Sequence, residues 1–138
     1  MEKTVVLIKP DGVKKHIIGK VIDYFEKAGL TIVALKLIKL NQKLLDTWYA
    51  HHKDKLFFPE LSRFMMETPV VAIILEGENA VDKVREIIGP TDSDKAPKGT
   101  VRGDYGEGVQ RNVVHASDSL ERAEFEIELL FKKEEIFN

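Results

Sequence analysis

Two stretches of the chain, TVVLIK at 4–9 and VVAIILE at 70–76, carry apolar residues at almost every position. A strand with one wet face alternates, so runs this continuous predict strands covered on both sides. Two weaker runs accompany them. LTIVALKLIKL (30–40) reads as a longer strand with Lys36 and Lys39 towards its end, and NVVHA (112–116) as a short last one. Together they suggest an α+β fold: a four-stranded antiparallel sheet of ferredoxin-like topology with helices on one face.

The helices follow from spacing. After a PDG turn, Val13, Ile17, Ile18, Val21, Ile22, Phe25 and Ala28 form one stripe that stops at Gly29. Residues 42–67 show helical spacing in two pieces broken near Lys53–Phe58, a helical insertion in the basic pattern. Asn79 can cap a helix carrying Val81, Val84, Ile87 and Ile88 up to Gly89. Residues 89–111 have no period and read as one long loop before the last strand; loops of that length in small domains are usually functional or disordered. Asp118 or a neighbouring serine opens a terminal helix, and Asp118 with Glu121 resembles a capping box.

At 138 residues the chain is expected to be a single domain, 1–138, without internal repeats. Its 21 basic and 23 acidic residues give a net charge of -2, so no global field argues for a polyanionic partner. A nucleic-acid binder on such a sheet would need a basic face with exposed aromatics, and the sequence has no such motif. There is no cysteine, which removes disulfides and thiolate chemistry. No apolar run approaches the ~18 residues of a membrane span, and the start of the chain is unlike a secretory signal. A cytoplasmic location is expected.

No Walker-type loop is present, and GDYGEG (103–108) has the wrong glycine order for a dinucleotide fingerprint. Phosphate binding would have to come from side chains such as Lys9, Arg85, Lys95, Lys98, Arg102 and Arg111. Arg85 lies beside the apolar stripe of its helix, where it either snorkels or aims its fork into a cleft. On the terminal helix, at about 100° per residue, Leu120, Ala123, Ile127, Leu130 and Phe131 form an apolar stripe. Glu121, Glu124 and Glu128 cluster elsewhere, whereas Glu126 falls beside the apolar stripe and needs a partner. Phe125 and Leu129 face away from the main stripe and suggest a second contact, such as another subunit.

His115 has several candidate roles, of which a Ser-His-Asp triad with Ser117, Asp118 and Ser119 is set aside because SDS at a helix start is better explained by capping and no G-x-S-x-G context is present. As a metal ligand it lacks company, because His51 and His52 are adjacent and no H-x-x-x-H pair exists. As a nucleophile, neutral imidazole is available near pH 7 and can form a phosphoramidate that passes its phosphoryl group on. A packed or hydrogen-bonded core histidine is the remaining reading, and the immediate surroundings favour it.

The combination of NVVHASDS (112–119) with IKPDGV (8–13) resembles the nucleoside diphosphate kinases. That family's signature reads N-x-x-H-x-S-D, with K-P-D-G-V ending its first strand. The likeness continues through KDKLFF, TPVVAIILEGENAV, GTVRGD and AEFEIELLF, essentially the whole chain. It implies a ping-pong transfer of the γ-phosphoryl group, mainly from ATP, to a nucleoside diphosphate. His115 matches the nucleophile, Glu126 the carboxylate that orients it and Ser117 a hydrogen-bonding neighbour. Lys9 and Asn112 match contacts to the sugar and phosphate region, and Tyr49 and His52 positions near the transferred group. Arg85, Thr91 and Arg102 match phosphate ligands, and Phe57 and Val109 the clamp on the base, with Leu61 behind it. Mg²⁺ is expected to arrive on the nucleotide phosphates, without a metal site built from the protein. A homo-oligomer, tetramer or hexamer, is implied.

The alternative is a silent nucleotide-binding module of the same fold. Intact His115, Lys9, Arg102 and Asn112 argue against it. Departures from the family pattern fall at Leu56, Asp92 and Ser93 and around Lys98.

Overall fold

The computed structural model describes residues 1–137. Four antiparallel strands, β1 (Glu2–Ile8), β2 (Thr31–Ile38), β3 (Val70–Gly77) and β4 (Val114–Ala116), lie in the order β2-β3-β1-β4. The two continuous apolar runs are the two central strands: Val5 to Ile8 and Val70 to Leu75 are all buried. Their alternate side chains feed two separate cores. Val6, Ile8, Ile73 and Leu75 pack on one face with Val21, Phe25, Val84 and Ile88. Val5, Leu7, Ala72 and Ile74 pack on the other with Leu45, Trp48, Phe64 and Leu130.

Helices therefore cover both faces, not one. Spacing identifies a buried helix face but carries no information about which side of the sheet that face meets. The first face carries α1 (Pro10–Lys14), α2 (Ile18–Lys27), α5 (Ala80–Ile88) and α6 (Val101–Tyr105). The second carries α3 (Gln42–Trp48), α4 (Phe58–Met65) and α7 (Leu120–Leu130). The break between α3 and α4 begins earlier than the expected Lys53–Phe58, directly after Trp48, and holds a 3₁₀ turn at Ala50–His52.

Several local expectations change. PDG is the first turn of α1, with Pro10 at its N-terminus, where a missing N–H costs nothing. The stripe from Val13 to Ala28 is split, because His16 at φ 59° separates α1 from α2. Asn79 sits at φ 50° and makes no side-chain cap. The loop 89–111 contains α6, whose opening Thr100 accepts from Gly103 N–H at 3.0 Å. Ser119, not Asp118, caps α7 by accepting from Arg122 N–H at 3.0 Å, and Leu120 is exposed. Leu129 packs against the second core, while Phe125 lies at the surface under the Arg122 guanidinium, 4.5 Å from the ring centroid. Among the described residues no helix is long and apolar enough to cross a membrane.

Candidate active site

The site begins where the segment after β1 grips the one before β4. Lys9 N–H donates to Val113 C=O at 2.8 Å, and Val113 N–H donates to Asp11 Oδ2 at 2.9 Å. Gly12 allows this approach: a Cβ there would stand 2.8 Å from Ile8 Cγ2 and 3.1 Å from Val113 Cγ1. Val113 has φ 74°, a conformation β-branched residues avoid, and Val114 N–H closes back onto Asn112 C=O at 2.9 Å. Backbone strain of this kind costs about 1–3 kcal/mol and persists only where its surroundings over-determine it. The turn hands the chain directly to His115.

His115 pairs with Leu7 across the β1–β4 ladder, so its ring lies on the face that carries α3 and α7. There its Nε2 meets Glu126 Oε2 at 2.7 Å. Glu126 is 0% exposed and fully partnered: Ser117 Oγ donates to Oε1 at 2.6 Å and Trp48 Nε1 donates to Oε2 at 2.7 Å. Burial pushes the Glu126 carboxyl up, but the hydrogen bonds from His115, Ser117 and Trp48 outweigh it and hold the group below its ordinary value. A buried carboxylate kept ionised this way fixes the Nε2–H tautomer of His115, so Nδ1 carries the lone pair. Nδ1 has no protein partner among the described residues.

A cleft of about 300 Å³ opens in front of His115. Lys9, Arg85, Thr91, Arg102 and Asn112 line it, together with Tyr49 and Leu61. Arg102 is buried and spends three of its five N–H groups on the carbonyls of Asn112, Gly89 and Val114, at 3.3, 2.9 and 2.8 Å. The backbone thus aims the guanidinium and leaves two donors for an anion. Burial, with the nearby Arg85 charge, lowers Arg102 to about 10, so it stays charged at neutral pH. Lys9 Nζ donates to Gln110 C=O at 2.6 Å and Asn112 Oδ1 at 2.7 Å. Burial lowers its ammonium to about 8, partly offset by Asp11. Asn112 in turn donates to Thr91 C=O at 2.9 Å. Burial and the Glu126 charge push the Tyr49 phenol up, which keeps it a proton donor.

A second cavity of about 410 Å³ adjoins the first and shares Lys9, Leu61 and Val109 with it. Phe57 and Val109, 49% and 59% exposed, line it and present apolar surface to it. His52 lines neither cavity. Its ring packs beside Phe57 at 5.5 Å and His51 at 3.9 Å. Of the residues singled out in the sequence, His52 and the cations Lys95, Lys98 and Arg111 line neither cavity, and the Arg111 guanidinium lies over the Phe64 ring at 4.9 Å.

Sequence reasoning missed Trp48 and Asp11. An indole inside an apolar helix stripe reads as core, and only its partner reveals the N–H as functional. Asp11 was visible within KPDG but had no assigned task. The departures from the family pattern are accommodated locally: Asp92 Oδ1 accepts from Asp94 N–H at 3.0 Å, Ser93 N–H donates to Gly108 C=O at 2.8 Å, and Leu56 is fully exposed.

The family model for nucleoside diphosphate kinase matches residues 2–136. A nucleoside diphosphate kinase from Staphylothermus marinus is 50% identical over 137 residues, 99% of this chain and 97% of the relative. The crystal structure of the Aquifex aeolicus nucleoside diphosphate kinase superposes with a TM-score of 0.93 at 42% identity, covering 98% of both chains. A halophilic nucleoside diphosphate kinase from Halobacterium salinarum, solved in complex with CDP, gives 0.95 at 39% identity over 99% of this chain and 91% of that one.

Proposed function

The chain belongs to the nucleoside diphosphate kinase family, and from that premise we propose that it moves the γ-phosphoryl group of a nucleoside triphosphate to a nucleoside diphosphate through a phosphohistidine on His115. The observation that carries the reading is the 2.7 Å contact between His115 Nε2 and the buried Glu126 carboxylate, which turns Nδ1 into the free nucleophile of a cationic cleft.

In the first half-reaction the Nδ1 lone pair attacks the γ-phosphorus in line. The N–P bond forms as the bridging P–O bond breaks, and its electron pair leaves on the β-phosphate of the departing diphosphate. Nε2 keeps its proton against Glu126, so no proton has to move. The second half-reaction is the same displacement in reverse, with a different diphosphate as acceptor. Phosphoryl transfer of this type needs positioning and spread positive charge more than covalent machinery. Lys9, Arg85 and Arg102 supply the charge, and Thr91, Asn112 and Tyr49 supply polar contacts.

The second cavity is assigned to the base, gripped by Phe57 and Val109 with Leu61 behind. A grip by apolar contact from Phe57 and Val109 accepts purines and pyrimidines alike. Among the described residues no three His, Cys, Asp or Glu side chains converge, and the cleft rim holds one carboxylate, Asp118. That donor set suits Mg²⁺ carried in on the phosphates, where it would neutralise the β- and γ-oxygens. We extend the proposal to a cytoplasmic homo-oligomer, tetramer or hexamer. Among the described residues no strand pairs with the outer edge of β2, which receives Phe137 N–H at Val33 C=O at 2.8 Å, and Leu35 and Leu37 beyond that contact are exposed.

The test is a two-step assay. Incubation with ATP and Mg²⁺, followed by removal of nucleotide, should leave one acid-labile phosphoryl group per chain, discharged by a second nucleoside diphosphate. Its persistence in His115→Gln would exclude the histidine route.

A further inference from the structure

Two donors converge on one oxygen of Glu126: Trp48 Nε1–H and His115 Nε2, each at 2.7 Å from Oε2. Trp48 is the chain's single tryptophan and is fully buried. Its ring stacks on Tyr49 at 5.3 Å with planes 8° apart and meets the His115 ring edge-on at 5.2 Å and 90°. Its backbone carbonyl accepts from Arg122 Nη2 at 2.6 Å, which ties the end of α3 to α7. A core-filling role accounts for the burial but not for the N–H, since a phenylalanine would fill apolar space without bringing in a polar atom.

We propose that Trp48 is a positioning residue for phosphoryl transfer: its indole N–H locks the Glu126 carboxylate against rotation while its ring walls the imidazole, so that His115 presents Nδ1 to the cleft in one orientation. The proposal rests on His115 being the nucleophile. With Ser117 alone on Oε1, the carboxylate could swing about its last bond and carry Oε2 out of the imidazole plane. A second donor on Oε2 blocks that rotation. It also helps keep the carboxylate ionised, so the Nε2 proton stays on the ring and Nδ1 stays free. Trp48 lies outside the residues that line either cavity, so its loss should reach the chemistry and not nucleotide binding.

The test replaces Trp48 in the full chain by 3-benzothienylalanine, which keeps the bicyclic shape and exchanges the N–H for sulfur, and separately by phenylalanine. Single-turnover phosphorylation by ATP and Mg²⁺ should slow about 10-fold in both, the rate equivalent of one hydrogen bond to a charged group, with KM unchanged. A wild-type rate in the benzothienyl variant would reduce Trp48 to a space-filler and overturn the proposal. In the unmodified enzyme, the single indole N–H resonance should move when His115 is phosphorylated and return when a diphosphate discharges it. An unmoved resonance also overturns the proposal. Wild-type enzyme that carries no phosphoryl group on His115 overturns both this proposal and the reading beneath it.

Discussion

Asp11 Oδ2 accepts the backbone N–H of Val113 at 2.9 Å, fixing a residue in left-handed backbone two positions before His115. The other Asp11 oxygen is buried without a protein partner, so the carboxylate has this one anchor among the described residues. The strained turn and the histidine after it depend on that contact.

Asp11→Ala should therefore lower stability by about 1–3 kcal/mol, the cost of leaving a buried N–H unpaired. Denaturant unfolding gives the value. Asp11→Asn keeps a carbonyl oxygen for Val113 and should lose less. Equal losses in the two variants would place the effect in the charge instead of the hydrogen bond.

Lys9 gives the site a pH dependence with a definite sign. Its folded value of about 8 lies below the ordinary lysine value of 10.5, so between these the native chain binds fewer protons than the unfolded one. The cost of burying the ammonium is fully present below about 8 and fades as pH rises towards 10.5, so this group stabilises the fold with increasing pH. Nucleotide binding should run the other way. Phosphate favours the charged ammonium, so affinity for a nucleoside diphosphate should fall above pH 8 and binding there should take up a proton. Calorimetry in buffers of different ionisation enthalpy measures that uptake, and none at pH 8 or above would remove Lys9 from the phosphate site.

Glu126→Gln replaces a carboxylate that meets Ser117, Trp48 and His115 by an amide with a single acceptor oxygen. At least one buried donor is then left facing an NH₂ group. The account expects kcat to fall by about 10- to 1000-fold, at roughly 1.4 kcal/mol per tenfold, with KM little changed because Glu126 does not line the cleft. Steady-state kinetics separate the two parameters, and a rise in KM at constant kcat would contradict the positioning role.

Phe57→Ala tests the base clamp. Stacking of a base on an aromatic ring contributes about 1–3 kcal/mol, so KM should rise roughly 10-fold or more for purine and pyrimidine diphosphates alike. Comparing ADP with CDP shows whether the loss is shared. A loss confined to one base class would mean that the clamp reads base identity.

Much of this site was legible in the sequence because its parts break local patterns. The runs through Val5–Ile8 and Val70–Leu75 announced a buried sheet, and Glu126 stood out against an apolar helix stripe. The segments KPDG and NVVH carried the family resemblance. Other parts obey a local pattern while serving a different end. Val113 reads as strand because it is β-branched in an apolar run, yet it holds φ 74° because Asp11 and Lys9, about a hundred residues earlier, grip its peptide. Trp48 reads as core and is core, and only a partner on another helix makes its N–H matter. The five residues of α6 are too few to show a period, so a helix that aims Arg102 looked like loop.

In the proposed reaction His115 attacks through Nδ1 because Glu126 holds Nε2. NMR of the phosphoenzyme, with ¹⁵N-labelled histidine and ³¹P detection, reports which ring nitrogen bears phosphorus. The account predicts a single phosphohistidine, at His115, bonded through Nδ1 and discharged by any nucleoside diphosphate. Phosphorus on Nε2, or on any residue other than His115, would contradict it.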